Sequence, residues 1–148
     1  MQRIKLTAWA EARDDASPIR FEVFVAEQGV PREIELDEHD ETSLHAVVFE
    51  GDVAVATGRL LPDGHIGRMA VLAAWRGQGL GSRILLRLID AARARGDAQV
   101  VLSAQVRAVP FYRRHGFIEE GEEYLEAGIR HRSMRLALRA QAHASGNS

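Results

Sequence analysis

The feature that most constrains the fold is a long amphipathic helix that opens on three alternating glycines. Apolar side chains recur at the helical period at Leu80, Ile84, Leu85, Leu88, Ile89 and Ala92. Such a stripe predicts a helix with one face packed on a core. Gly96 lies just beyond the last apolar residue and predicts the end of the helix. The turn before the helix, residues 76–82, reads RGQGLGS and follows a predicted strand.

Strand and turn signals on either side of this helix predict the remaining elements. Ser17 is typical of a helix N-cap and Pro18 of a first helical residue, so a first helix is predicted from there to Gly29. Gly51 and Asp52 separate two β-rich runs and predict a hairpin. The predicted strands cover residues 4–8, 45–49, 53–61, 66–71, 100–104 and 129–138, and a further helix covers 106–115. This order predicts an α/β (α+β) fold, a mixed sheet with helices on its faces.

Length and composition favour one globular domain. The chain has 148 residues, of which 46% are hydrophobic and 27% charged, and this size suits a single core. We expect the domain to cover residues 1–138. Residues 139–148 lack large apolar side chains and are predicted to be a disordered tail.

Several classes of protein are disfavoured by composition. There is no cysteine, which excludes disulfides, thiolate metal sites and cysteine nucleophiles and fits a cytoplasmic location. The net charge of −2 argues against nucleic-acid binding. Apolar runs are far shorter than a membrane span, and the first residues lack a signal-peptide core. We expect neither a nucleic acid nor a membrane as a partner.

The glycine-rich turn has the composition of a phosphate site. Small residues let a ligand approach the backbone, the first-turn N–H groups of a helix lack intrahelical partners, and the helix dipole favours an anion there. Arg76 would add a charged donor. The segment lacks the lysine of a Walker A motif and the spacing of the dinucleotide-binding motif. We therefore predict a pyrophosphate site of another kind.

Two motifs in this order and spacing resemble the GNAT superfamily of acetyl-CoA-dependent N-acetyltransferases. The first is R-x-x-G-x-G/A, present from Arg76 to Gly81 and preceded by the RMAV of residues 68–71, which looks like the family's bulged strand. The second is QVRAVPFY followed by Gly116 and Phe117, where Gln105 replaces the family's common asparagine. Pieces around Arg20, Phe24, Asp37, His45 and His131 narrow the resemblance to the ElaA/YjcF-like branch.

The resemblance implies a GNAT-like, mostly antiparallel sheet flanked by helices and an N-acetyltransferase that uses acetyl-CoA as cosubstrate. The implied acceptor is a primary amine of a small molecule or peptide, and a homodimer is compatible with the family. The Val71 N–H would polarise the thioester carbonyl, and Tyr112 would protonate the departing thiolate or pack on the pantetheine arm. The implied cofactor contacts are Met69, Ala70, Val71, Arg76, Gly77, Gln78, Gly79, Leu80, Gly81, Ser82, Gln105 and Tyr112.

The proton acceptor has several candidates. An alkyl ammonium has a pKa near ~10.4 and must lose a proton before it attacks a thioester. Glu27 near the end of the first helix is one candidate, and His131 on the last strand is another. A third is the acidic loop, which places six carboxylates in nine residues, at Glu33, Glu35, Asp37, Glu38, Asp40 and Glu41.

Crowded carboxylates repel one another unless some are neutralised. We therefore predict that Arg20 or Arg59 pairs with some of Glu35, Asp37 and Asp40. The remaining carboxylates, together with His131, would bind a positively charged amine. A metal ion at residues 37–40 is disfavoured because no second histidine cluster accompanies it, and none is expected.

Two other functions remain open at this point. An acyl-homoserine-lactone synthase shares the fold and resembles the chain at Arg20, Phe24, Glu35, Asp37, Asp40 and Arg59. Such synthases usually take the acyl group from a carrier protein, so the pyrophosphate motif favours a free CoA thioester. A CoA-binding regulatory module without turnover is the other alternative. The sequence does not identify the acceptor amine.

Overall fold

The computed structural model describes residues 2–32 and 37–138. The strands and helices follow the predicted order, with one additional strand. The strands are β1 (Gln2–Ala8), β2 (Leu44–Glu50), β3 (Val53–Leu60), β4 (His65–Val71), β5 (Gln99–Gln105), β6 (Ile118–Glu126) and β7 (Ile129–Ala137). The helices are α1 (Trp9–Arg20), α2 (Leu80–Arg95) and α3 (Val109–Arg114). A π-helical segment (Phe21–Glu27) continues α1, and 3₁₀ turns lie at Glu38–Thr42, Ala73–Trp75 and Val106–Ala108. The fold is mixed α/β with antiparallel strand pairs, and the chain divides into one compact unit up to Asp90 and a second from Ala91.

Four antiparallel strands of the N-terminal unit lie in the order β1-β2-β3-β4. The hairpin predicted at Gly51 is confirmed, and this glycine has a φ of 62° that a side chain would oppose. Helix α1 lies on the sheet, where its small residues Ala12 and Ala16 pack against Val47 and Phe49. The core of this unit is therefore formed between α1 and the strands β2 and β3.

The start of α1 differs from the prediction. The helix begins at Trp9, directly after β1, so that Ser17 and Pro18 lie inside it and Ser17 is not an N-cap. The apolar face explains this, because Ala12, Ala16 and Ile19 are all buried at helical spacing. Tertiary packing of that face outweighs the local preference of a Ser-Pro pair for a helix start.

Strand β4 carries the bulge that the resemblance implies. Thr57 pairs with Ala70 and Arg59 pairs with Gly67, so β4 has one more residue than β3 between these pairs. Arg68 lies at the irregularity with a φ of 50°, a left-handed conformation that is rare outside glycine. An added residue re-aims the strand beyond it. The bulge thus sets the direction in which the end of β4 leads into the glycine-rich turn.

Helix α2 packs closely on β3. A Cβ atom at Gly58 would lie 2.7 Å from Cγ2 of Ile84 and 3.1 Å from Cγ of Met69. Leu80, Ile84, Leu85 and Leu88 are fully buried, which confirms the predicted apolar face. The glycine on β3 therefore allows the helix to approach the strand at this point.

Three antiparallel strands of the C-terminal unit lie in the order β5-β7-β6. Strand β6 corrects the sequence prediction, which contains no strand between residues 116 and 129. Five of its nine residues are glutamates and nearly all are exposed. Without a buried face there is no alternating pattern to detect.

The predicted helix over 106–115 is a 3₁₀ turn followed by the short helix α3. Pro110 lies in the first turn of α3, where its missing N–H costs no hydrogen bond. The predicted tail, 139–148, lies outside the described residues. Among the helices of the described ranges, none is long and apolar enough to cross a membrane.

Candidate active site

The glycine-rich turn exposes its backbone at the start of α2. Gly77 and Gly79 have φ values of 80° and 83°, and a Cβ at either would meet nothing within 4 Å. The turn therefore needs glycine for its conformation, and its surface is open. Leu80 is fully buried, so only its backbone can face a ligand. These features fit the predicted site for a pyrophosphate, whose oxygens accept hydrogen bonds from N–H groups at a helix start.

Arg76 joins this turn to two other elements. Its Nε donates to the carbonyl oxygen of Val71 at 2.8 Å, and its Nη2 donates to Oε1 of Glu27 at 2.6 Å. The arginine side chain is about half exposed. The structure thus brings together a predicted cofactor contact, the end of the bulged strand and one candidate base. Glu27 is the counter-ion of Arg76 in this structure.

A buried ion network surrounds Asp40 in the same unit. Asp40 is 1% exposed and accepts from Arg20 at 2.8 and 3.2 Å. Arg59 donates to Asp40 at 2.8 Å and to Asp37 at 2.7 and 3.1 Å. Arg68 adds a contact to Asp37 at 3.2 Å. The predicted pairing of Asp37 and Asp40 with Arg20 and Arg59 is confirmed.

The arginines keep both carboxylates charged. Burial would raise the pKa of Asp40, but hydrogen bonds and charge from Arg20 and Arg59 outweigh it, so the pKa is lowered. The pKa of Asp37 is lowered in the same way, against burial, chiefly by Arg59. Both carboxylates are committed to arginines. Glu33 and Glu35, the other inner carboxylates of the loop, lie outside the described residues.

His45 supports this network from β2. It is 1% exposed, and its Nε2 donates to the backbone oxygen of Asp40 at 2.9 Å. Burial lowers the pKa of His45, so the ring is neutral and serves as a hydrogen-bond donor. The ring of Trp9 lies 4.7 Å away between centroids. His45 therefore holds the backbone of the acidic loop against the sheet.

Tyr112, the predicted proton donor, lies on α3 of the C-terminal unit. Its side chain is partly buried, and the ring meets Phe117 edge to face at 5.9 Å. Burial raises the pKa of Tyr112 to about 12. The hydroxyl is thus protonated throughout the physiological range, which a donor requires.

Gln105 and His131 are direct neighbours across β5 and β7. On the other side of β7, Tyr124 pairs with His131, and the two rings stack with centroids 6.1 Å apart. Ser103 contacts the Tyr124 hydroxyl and donates to Glu126 at 3.2 Å. Sequence reasoning identified Gln105 and His131 but missed Ser103, Tyr124 and Glu126.

The missed residues Tyr124 and Glu126 lie just before a tight turn between β6 and β7. Ala127 and Gly128 separate the paired residues Glu126 and Ile129. Both turn residues have positive φ, the signature of a tight hairpin turn.

In the described part of the chain, no group of three or more histidine, aspartate or glutamate side chains is arranged to hold a metal ion.

Comparison with known proteins places the chain in a family. The model of the acetyltransferase (GNAT) domain matches residues 12–138. The chain belongs to the GNAT acetyltransferase family. The match spans both compact units, so the family's fold covers the described chain nearly end to end.

Several relatives agree with this assignment. The chain is 42% identical to the uncharacterized N-acetyltransferase YjcF of Bacillus subtilis, over 84% of this chain and 91% of that one. An acyl-CoA N-acyltransferase structure from Pseudomonas aeruginosa is 33% identical, with a TM-score of 0.84 over 93% of this chain and 100% of that one. The structure of Escherichia coli ElaA is 28% identical, with a TM-score of 0.82 over 92% and 99%. These likenesses confirm the ElaA/YjcF-like branch, and the protein is an N-acyltransferase of the GNAT type.

Proposed function

We propose that this GNAT domain transfers an acetyl group from acetyl-CoA to a primary amine of a positively charged acceptor. The observation that carries the proposal is the bulged strand β4, which leads within a few residues into an open glycine turn at the start of α2. This short segment therefore combines a strand end that can contact an acyl group with a turn that can bind a pyrophosphate.

The turn supplies the cofactor contacts. Pyrophosphate oxygens would accept from backbone N–H groups between Gly77 and Ser82, where the start of α2 adds partial positive charge. Arg76 would add a charge-assisted hydrogen bond. Its hydrogen bond to the Val71 carbonyl supports this role, because a guanidinium already held in place loses less entropy on binding.

The chemistry requires a polarised carbonyl and a stabilised thiolate. The Val71 N–H, just beyond the bulge, would donate to the thioester oxygen as negative charge develops on it. Tyr112 would donate its hydroxyl hydrogen to the sulfur. Since the pKa of Tyr112 is raised to about 12 by burial, the phenol favours donation of a hydrogen bond over loss of its proton.

Glu27 is one of the candidate proton acceptors that the sequence offers. Its carboxylate is bonded to Arg76 in this structure. It can take a proton from an amine only after that ion pair opens, for example when a pyrophosphate engages the arginine. The homodimer and the cytoplasmic location stay predictions.

Mass spectrometry of the products tests the proposed function. Acetyl-CoA is incubated with the enzyme and a panel of amines that includes spermidine, an amino sugar and a lysine peptide. Acetylation of at least one amine supports the proposal. CoA binding without any transfer or hydrolysis would favour a regulatory module, and an acylated homoserine lactone would favour the synthase. The buried network of Arg20, Asp40 and Arg59 is the observation that supports the synthase as a second candidate function.

Two matched glycine variants test the cofactor site by calorimetry. Gly79→Glu puts bulk and negative charge in the pyrophosphate site, and we expect CoA binding to be lost. Gly96→Glu is the control, because Gly96 has a similar φ of 93° with nothing within 4 Å of a Cβ, yet lies at the far end of α2. Wild-type CoA affinity in Gly79→Glu would show that the pyrophosphate does not bind at this turn.

A further inference from the structure

A polar cluster on one face of the C-terminal sheet has no part in the chemistry above. It consists of Ser103 on β5, Tyr124 and Glu126 on β6, and His131 on β7, and is called the His131 cluster below. Gln105, His131 and Tyr124 are directly paired across the three strands, and paired residues of antiparallel strands project to the same face. The cluster therefore shares its face with Gln105, which the GNAT resemblance assigns to the cofactor.

The ring of His131 has one nitrogen bonded and one without a partner. Only 7% of the residue is exposed, and Nδ1 lies 2.7 Å from the backbone oxygen of Ile129. A carbonyl oxygen only accepts, so Nδ1 carries the proton of the neutral ring and Nε2 carries a lone pair. Nε2 has no hydrogen-bond partner within residues 2–32 and 37–138. A buried imidazole with its tautomer fixed is thus left with a free acceptor.

The neighbours of His131 form a chain of hydrogen bonds that ends on a carboxylate. Ser103 donates its hydroxyl hydrogen to Glu126 at 3.2 Å, so in its contact with Tyr124 it accepts the phenol hydrogen. The phenol oxygen of Tyr124, the Glu126 carboxylate and Nε2 of His131 are all acceptors toward a ligand. The ligand that such a set of groups favours is a donor of hydrogen bonds with positive charge.

We propose that the His131 cluster receives the primary ammonium group of the acceptor and that Nε2 of His131 removes its proton. This inference rests on the proposed function and assigns the acceptor subsite within it. Glu126 and Tyr124 attract the ammonium, and His131 converts it to the neutral amine. Glu27 is left as the partner of Arg76.

The proton and electron balance of the step is closed. One ammonium proton goes to Nε2 and leaves an amine with a free electron pair. That pair forms the new C–N bond with the thioester carbonyl carbon, and the C–S bond breaks with its electrons on sulfur. As the amide forms, the second nitrogen proton is transferred to the thiolate, which gives one amide and one thiol. His131 returns its proton to solvent.

Acceptors of different basicity separate a base from a structural histidine. At pH 7 spermidine is protonated, whereas the amino group of aniline is neutral. His131→Gln should lower kcat/KM on spermidine by roughly 10²-fold, lower that on aniline by less than about tenfold, and leave CoA binding unchanged. His65→Gln, at the exposed start of β4 next to Asp63, is the matched control and should change none of the three. Equal losses on both amines would overturn the proposal, because a structural role does not depend on acceptor basicity.

Two further measurements address the subsite itself. Glu126→Gln should raise KM for spermidine several-fold and leave kcat unchanged, and an unchanged KM would overturn the assignment of the subsite. Spermidine added to the CoA-saturated enzyme should shift the ring ¹⁵N resonances of His131. If no shift occurred, the assignment of the subsite would likewise be overturned. If the enzyme neither bound CoA nor acetylated any amine of the panel, that result would instead count against the proposed function.

Discussion

The ion network around Asp40 and the His131 cluster use similar residues for different purposes. Each contains at least one carboxylate and a buried histidine. In the network both carboxylates meet arginines, and the Nε2 of His45 donates to a backbone carbonyl. In the cluster, within the described residues, His131 is hydrogen-bonded through Nδ1 to the Ile129 carbonyl, and its Nε2 stays available. In the ion network, a high density of charged residues therefore indicates a structural role. In the His131 cluster, a single hydrogen-bond acceptor without a partner indicates a candidate for chemistry.

The physical reason lies in the cost of buried charge. A carboxylate taken out of water must be paired and hydrogen-bonded, or it takes up a proton. Asp40 meets that requirement with two arginines, so it is no longer available to a ligand. The predictions below test this division between a region that stabilises the fold and a region that acts on a substrate.

The largest effect is expected on stability, from Asp40→Asn. The substitution removes the buried negative charge that Arg20 and Arg59 share, so the free energy of unfolding should fall by about 3 kcal/mol. Denaturant unfolding measures this, with Glu41→Gln in the exposed part of the same loop as a control that should change nothing. If Asp40→Asn kept full stability but lost activity, the network would be a functional site and not a region that stabilises the fold.

The pH dependence of that loss follows from the lowered pKa of Asp40. A carboxyl whose folded pKa lies below its unfolded value of about 3.9 stabilises the protein fully above the unfolded pKa. The contribution is lost as the pH falls through the folded pKa. The difference between wild type and Asp40→Asn should therefore be constant from pH 5 to 8 and shrink below about pH 4. A difference that grows toward low pH would contradict the pairing.

Tyr112→Phe should have the next largest effect, and on turnover alone. Loss of the hydroxyl should lower kcat by roughly 10²-fold, while the retained ring keeps its contact with Phe117. Calorimetry of CoA binding and a melting curve should match wild type. An unchanged kcat would leave Tyr112 with a packing role and assign stabilisation of the thiolate to water.

The smallest effect is expected from Glu27→Gln. The Glu27–Arg76 ion pair is partly exposed, and such pairs contribute about 0–1 kcal/mol. Loss of the carboxylate removes a competitor of the pyrophosphate for Arg76, so CoA should bind up to about fivefold more tightly. A kcat loss of roughly 10²-fold on protonated amines would instead make Glu27 the base and contradict the role proposed for His131.

Elements with a buried face could be predicted from the sequence, and those without one could not. The apolar stripe from Leu80 predicted α2, and the runs around Gly51 predicted the β2–β3 hairpin. Strand β6 was missed because its residues are mostly exposed glutamates. The start of α1 was placed wrongly because a local Ser-Pro signal was weighed without the packing of Ala12 and Ala16 on the sheet.

The sequence by itself determined the family, the glycine turn before α2 and the pairing of aspartates with arginines, because motifs, glycine spacing and charge balance are local or compositional properties. Only the tertiary structure decided which partner each group has. It joined Arg76 to Glu27, placed Tyr124 and Gln105 on either side of His131, and directed the Nδ1 of that histidine to a carbonyl. Strand register makes those contacts between residues far apart in the chain, and no local pattern specifies a register whose exposed face carries no hydrophobic alternation.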